Sequence, residues 1–342
     1  MHQISCMTDL TFFSSPIGLG HATRDVAIAQ HLGNRIKFVS GEGGPKLFSD
    51  YGFEAQNLYK PPIFVVRNGT LKNPLAWLFS YYSYYRKCKE ISSDIIEKEG
   101  SKLIVSDEDF ASLTMAQEKK LKTILITDIL ETNFVRGFGS FIEKKMNASM
   151  KAIMKKCEVI IMPEDGSEVD NIIRVGPIVR KTSHSRDELR KRFSFDRKTI
   201  IISIGGTNAG KFLIDKSIQI FKKLDLDVDM LIVSGPAFEI SDKNVRNLGF
   251  VNNLHEIIYA ADLIISLAGK STIDEARSYG TPGIFIPIKG HFEQEQNAKK
   301  VGFSFEDLDR LESLIPIKIN EKRDPKMFDG AQKAADIIKK FL

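Results

Sequence analysis

Apolar runs of three to six residues recur along the chain, each followed by a longer stretch in which apolar side chains fall three or four positions apart. The runs at 10–14, 36–39, 103–105, 123–126 and 159–162 read as buried strands of a first half. Those at 199–204, 230–233, 263–266 and 283–286 read as strands of a second half. Between them lie helical patterns such as 22–32, where Ala22, Val26 and Ala29 share a face. Strands alternating with helices in this way predict an α/β fold of two doubly wound, Rossmann-like parallel-sheet domains with an interdomain cleft.

The join is placed by a turn. Asn171 to Ile178 closes an apolar strand with Gly176-Pro177, and a polar, charge-rich stretch, 181–198, precedes the next strand. The expected division is a first domain over 1–177 and a second over 178–328. A final helix over 329–342 carries Ala331, Ala335, Ile338 and Leu342 on one stripe that can pack back on the first domain.

Composition narrows the class. With 342 residues, 42% hydrophobic and 27% charged, the chain has the content of a globular protein large enough for two cores. No run approaches the roughly 18 apolar residues of a membrane span, and the first residues lack the pattern of a cleavable signal. Cys6, Cys88 and Cys157 are scattered without metal or redox spacing, which points to reduced thiols and a cytoplasmic setting. A net charge of +5 does not call for nucleic acid. Arg136, Lys144, Lys145, Lys151, Lys155 and Lys156 are interleaved with Phe134, Phe138, Phe141, Met146, Met150 and Met154. That segment reads either as an ordinary amphipathic helix with a solvated lysine face, the more common case, or as a helix lying peripherally on the inner face of a membrane.

The candidate chemistry sits at strand ends. Gly18-Leu19-Gly20-His21 follows the first strand and opens a helix, but Thr23 stands where a dinucleotide fingerprint needs its third glycine. This disfavours a nicotinamide enzyme and leaves His21 at the C-terminal sheet edge, where such folds bind ligands. Asp107 ends another strand, beside Glu108 and Asp109. If it faces His21, it can fix the tautomer and stabilise the imidazolium. Gly205-Gly206-Thr207 nearly begins a phosphate loop, yet Phe212 replaces the hydroxyl that would hold magnesium. Gly269-Lys270-Ser271-Thr272 opens a helix whose first-turn N–H groups suit a diphosphate. Glu275, spaced from Thr272 as in a capping box, is open to two readings, a helix cap or a carboxylate for a ribose diol. Downstream, Glu293, Gln294 and Asn297 supply groups for hydroxyls.

In this order the motifs resemble the GT-B glycosyltransferases, above all the MurG-like family 28 type and the wider UDP-glycosyltransferase group. The resemblance implies an inverting, metal-independent transfer from a UDP-sugar, with no cofactor, to an unidentified acceptor, a lipid-linked one among the options. It implies that Gly205, Gly206 and Thr207 form a donor-side loop and that Phe250 and Val251, after Gly249, border the uracil. Gly269, Lys270, Ser271 and Thr272 would meet the diphosphate, and Glu275 the ribose. Glu293, Gln294 and Asn297 would lie at the donor sugar, and Gly18 and Gly20 on the diphosphate and acceptor side. His21 would be the general base, oriented by Asp107. Lys270 departs from the small residue more usual there, and 60–86 carries no diagnostic pattern. A UDP-sugar hydrolase sharing Gly-x-Gly-His-x-x-Arg, and a non-catalytic subunit that binds a nucleotide-sugar or recruits a partner to a membrane, remain as alternatives.

Overall fold

The computed structural model describes residues 10–33, 36–135, 137–206, 208–224, 226–234 and 245–342. In chain order the strands are β1 (Leu10–Ser14), β2 (Ile36–Gly41), β3 (Glu54–Tyr59), a short hairpin of β4 (Val65–Arg67) and β5 (Thr70–Lys72), β6 (Leu103–Asp107), β7 (Lys122–Ile126), β8 (Val159–Met162) and β9 (Ile172–Arg174). The second half adds β10 (Lys198–Ser203), β11 (Val228–Val233), β12 (Arg246–Asn247), β13 (Leu263–Leu267) and β14 (Gly283–Ile286). One sheet has the order β3-β2-β1-β6-β7-β8-β9 and the other β12-β11-β10-β13-β14, with every neighbouring pair parallel. The fold is therefore the pair of doubly wound parallel-sheet domains that the alternation predicts. Strands such as β1, β6, β8 and β13 are buried along their whole length, which explains why they read as unbroken apolar runs.

The chain divides into two compact units. The first comprises residues up to Ile63, Pro74–Ile178 and Phe328–Leu342, and the second comprises Phe64–Asn73 and Val179–Met327. In the first, Phe12, Phe38, Val105 and Ile126 form a core shared with the final helix, Gly330–Lys339, through Ala331, Ala334, Ala335 and Ile338. Gly330 is obligatory there because a Cβ would stand 2.4 Å from the carbonyl oxygen of Pro177. In the second unit, Ile201, Leu231 and Val233 pack beneath Ile257 and Ala260, while Ile264 and Phe285 pack with Ile273 and Ala298.

Several details differ from the sequence reading. The polar stretch 181–198 contains a helix, Arg186–Phe193, started by a capping box in which Ser185 and Glu188 satisfy each other's backbone. β3 was not expected, because its outer-edge residues Glu54, Asn57 and Leu58 are exposed and its sequence shows no apolar alternation. The segment 60–86, without a recognisable pattern, holds the β4–β5 hairpin, whose turn residues Asn68 and Gly69 both take positive φ, 49° and 73°. Among the described residues no helix is long and apolar enough to cross a membrane.

Candidate active site

At the C-terminal edge of the first sheet, β1 and β6 run in register with Ser14 opposite Asp107. The loop after β1 is pinned by Ser15 N–H donating to the Asp107 carbonyl, 2.9 Å. Gly18 then takes φ +87°, a turn an L side chain strains to make, and the helix Gly20–Ala29 begins. His21 thus stands in the first turn of that helix, and Asp107 is the last residue of β6. The structure joins them: His21 Nδ1 lies 2.8 Å from Asp107 Oδ1. Asp107 is fully buried, whereas the His21 side chain keeps 15% of its surface exposed.

Two further groups complete the cluster. Arg24, one turn after His21, sends its guanidinium to both Asp107 oxygens and to Asp128 Oδ1, and its Nη2 approaches His21 Nδ1 at 3.2 Å. Glu108, in the left-handed region at φ 54°, accepts from Thr127 Oγ1 at 3.0 Å and from the Asp128 N–H at 2.9 Å through Oε1. Its Oε2 lies 3.8 Å from His21 Nε2. Asp109 belongs elsewhere: Oδ1 caps the helix Phe110–Glu118 and Oδ2 accepts the Tyr59 hydroxyl at 2.7 Å.

The charges follow from this packing. Burial alone would pull the His21 imidazole down, but Asp107 and then Glu108 outweigh it and raise its pKa to about 9. Burial would push the Asp107 carboxyl up, yet Arg24 and then His21 hold it well below the usual carboxylate range. Glu108, where burial is the largest influence, is raised above the ordinary value. Behind them the buried Asp25 carboxyl is raised well above its normal range, first by burial and then by the Asp107 charge. At neutral pH the edge of this sheet therefore presents an imidazolium against the Asp107 carboxylate.

In the second unit, β13 runs into Ala268 and Gly269, and the helix Lys270–Tyr279 begins with Gly269 as its extended N-cap. Lys270, Ser271 and Thr272 form its first turn, where backbone N–H groups have no partner inside the helix. Lys270 pairs with Asp274 one turn on. The capping-box reading of Thr272 and Glu275 is not what the chain does, because both lie inside the helix. Glu275 instead meets a residue the sequence reading passed over. Arg180 Nε lies 2.8 Å from Glu275 Oε1 and Nη2 lies 3.3 Å from Oε2, with both side chains buried. Arg180 Nη1 also donates to the Asn252 carbonyl, 2.7 Å.

The remaining predicted donor residues fall around the same strand ends. Gly205, at φ +75°, is exposed after β10 with Gly206 beside it, and Thr207 lies outside the described residues. Phe250 and Val251 are half-buried after Gly249, whose N–H donates to Asn247 Oδ1 at 3.0 Å. On the helix Phe292–Lys300, Glu293 and Gln294 are partly exposed in the first turn. Gln294 Oε1 accepts from the Ile288 N–H at 3.0 Å, so its amide N–H groups are the ones left for a ligand. Asn297 is buried and donates to the Ala268 carbonyl at 3.4 Å, which ties this helix to the turn before Lys270.

Sequence reasoning singled out His21 and Asp107, named Arg24 only as the end of the Gly-x-Gly-His-x-x-Arg loop, and gave Asp128 and Arg180 no part in the site. Arg24 had a usable signal, its spacing of three from His21 on one helix face. Arg180 had none, since its partner is 95 positions away.

Two doubly wound parallel-sheet domains with charged clusters at their strand ends are the architecture of the GT-B fold. Comparison with known proteins carries the assignment further. Residues 200–335 match the glycosyltransferase family 28 C-terminal domain. An uncharacterised glycosyltransferase of Methanopyrus kandleri is 26% identical over 62% of this chain, and the match spans 64% of that protein's length. The UDP-N-acetylglucosamine–N-acetylmuramyl-(pentapeptide) pyrophosphoryl-undecaprenol N-acetylglucosamine transferase of Caldicellulosiruptor saccharolyticus is 25% identical over 89% of this chain and 87% of its own. Among solved structures, the kitacinnamycin glycotransferase superposes with a TM-score of 0.68 at 15% identity, covering 97% of this chain and 98% of that one. In fold and along most of its length the chain is similar to the MurG-like GT-B glycosyltransferases, which supports a glycosyltransferase that draws on a nucleotide sugar.

Proposed function

We propose that this enzyme takes a UDP-sugar and transfers its sugar to an acceptor hydroxyl with inversion and without a divalent ion. The observation that carries this reading is the His21–Asp107 contact at the edge of the first sheet. The acceptor oxygen would bond to the anomeric carbon as the bond to the diphosphate breaks, and its proton would pass to His21 Nε2. Asp107, fixed by Arg24, would hold the ring and stabilise the imidazolium that results. The leaving diphosphate would be met by the first-turn N–H groups from Lys270 to Thr272 and by the Lys270 ammonium, which replaces the charge a metal supplies elsewhere. Phe250 and Val251 would border the base, Gly205 to Thr207 and the loop from Gly18 to Gly20 would line the phosphates, and Glu275 would take the ribose. Glu293, Gln294 and Asn297 would serve the sugar.

A lipid-linked acceptor at the inner membrane face is supported by the exposed aromatic side chains Phe79, Tyr82 and Phe141 and by the exposed Lys144 and Lys145. The name of the Caldicellulosiruptor relative points the same way. The methionines of this basic helix do not contribute, because Met146, Met150 and Met154 pack into the core.

Hydrolysis of the same donor is the second reading, favoured by the Gly18-x-Gly20-His21-x-x-Arg24 constellation, in which water can replace the acceptor. Incubation with a panel of UDP-sugars, with and without polyprenyl-phosphate-linked sugars, separates the outcomes by product. A new glycoside supports transfer, free sugar with UDP supports hydrolysis, and binding without turnover leaves only a nucleotide-sugar-binding subunit.

A further inference from the structure

Residues 64–73 leave the first unit at Ile63, join the second, and return to the first at Pro74. Within the second unit this excursion forms the β4–β5 hairpin, and its far strand is bonded to the loop between β14 and the helix Phe292–Lys300. The Leu71 N–H donates to the Lys289 carbonyl and the Lys289 N–H donates to the Gly69 carbonyl, both at 2.8 Å. The Phe64 ring lies 5.3 Å from that of His291, and Gly290, beside Leu71, takes φ +84°. The tip is anchored too, because Gly69 sits so tightly against Phe305 and Phe212 that a Cβ would stand 2.6 Å and 3.0 Å from their rings.

The loop held in this way is the one that orients Gln294. His291 is the N-cap of the helix, its Nδ1 accepting from the Gln294 N–H at 3.5 Å, and the Ile288 N–H holds the Gln294 carboxamide oxygen. Burial, the largest influence, lowers the His291 pKa to about 4, so the ring is neutral and able to accept at physiological pH. The N–H groups of Ile288 and Gly290 are thus held by side chains of the helix, Gln294 and Glu295, and that of Lys289 by the hairpin.

We propose that the hairpin Phe64–Asn73 is the positioning element of the donor-sugar subsite and determines which sugar the enzyme accepts. The inference rests on the reading that Glu293 and Gln294 meet the donor sugar. It assigns Phe64, Gly69 and Leu71 an effect on sugar recognition through the Lys289–His291 loop. A small displacement of that loop moves the Gln294 amide relative to sugar hydroxyls, and misplacement on that scale is enough to forfeit a hydrogen bond. It leaves the nucleotide contacts at Phe250, Val251 and Lys270–Thr272 in place.

The test is calorimetric binding of UDP, UDP-N-acetylglucosamine, UDP-glucose and UDP-galactose to the full-length protein and its variants. Leu71→Pro removes the N–H that donates to Lys289, and Gly69→Ala forces the tip away from Phe305, so either alone can report if the other fails to fold. Gln294→Ala tests the subsite itself. The expected result is UDP affinity within about twofold of wild type in all three variants, with the preference among UDP-sugars reduced by about tenfold. Loss in Gln294→Ala with none in Leu71→Pro or Gly69→Ala would overturn the hairpin's role and leave the subsite standing. Unchanged preference in all three would overturn the subsite and the hairpin's role together.

Discussion

The Glu275 carboxylate is held by the Arg180 guanidinium at 2.8 Å, and both side chains are almost without solvent exposure. A carboxylate expected to cap its own helix or to wait for a ribose is therefore already paired inside the fold. Glu275→Gln leaves the Arg180 charge buried without its counter-ion, a change that typically costs about 3–5 kcal/mol. Denaturant unfolding should show a loss of that order, where a helix cap would predict about 1 kcal/mol. Replacing both partners, as Arg180→Met with Glu275→Leu, should recover much of the stability. If Glu275 also serves the ribose, the recovered double variant will still bind UDP poorly, and wild-type UDP affinity would leave the carboxylate a purely internal role.

The raised His21 pKa fixes the direction of a pH profile. An imidazole with a pKa of about 9 is protonated at neutral pH, and the form that can take a proton grows as pH rises. Transfer under kcat/KM conditions should climb by up to tenfold per pH unit from about pH 7 and level off near 9. Asp107→Asn removes the larger of the two charges that raise this pKa, so the break should move towards neutrality as the maximal rate falls. The same shift stabilises the fold: the contribution is complete below the unfolded value of 6.5 and is lost as pH rises through 9. A flat profile between 7 and 9 would remove His21 as the titrating base.

Glu108 should act on the same profile without holding the ring. Its Oε2 faces His21 Nε2 at 3.8 Å, while Asp107 occupies Nδ1. Glu108→Gln should therefore lower the His21 pKa, followed by NMR of the imidazole, and move the rate break to lower pH with a smaller loss of maximal rate than Asp107→Asn. An unaltered His21 titration would show that Glu108 does not communicate with the ring.

Membrane contact through the exposed Phe79, Tyr82 and Phe141 together with Lys144 and Lys145 is electrostatic in part and hence salt-dependent. Sedimentation with anionic vesicles should show binding that falls between low and high ionic strength, and Phe79→Ser with Tyr82→Ser should weaken it. Equal partitioning to neutral vesicles, or none to either, would withdraw this support for a lipid-linked acceptor.

What the sequence made legible follows from how local each feature is. The apolar runs of β1, β6 and β13 announce themselves because both faces of a parallel sheet are covered. His21 and Asp107 were legible as strand-end residues because doubly wound folds gather ligand groups there. The hairpin Phe64–Asn73 was not, since its role comes from bonds to Lys289, more than 200 positions away, and only the Asn68-Gly69 turn signals it locally. The cap reading of Glu275, one of the two that the sequence offers, fails for a related reason. The i to i+3 spacing from Thr272 is real, but the helix starts earlier, at Lys270, because Gly269 in its extended conformation ends the β13 turn. Arg24 lay between, visible as a residue and silent as to its partners, because Asp107 and Asp128 reach it only through the strand order of the sheet.

The most direct test of the proposed mechanism is the turnover of His21→Ala measured beside its UDP affinity, with the UDP-sugar and acceptor that give product with the wild-type enzyme. General-base catalysis contributes about 10²–10⁴-fold, so transfer should fall by that order while UDP binds within about twofold of wild type. Full activity in a folded His21→Ala protein would contradict the mechanism and turn attention to Glu108, the nearest carboxylate with an oxygen facing the same space.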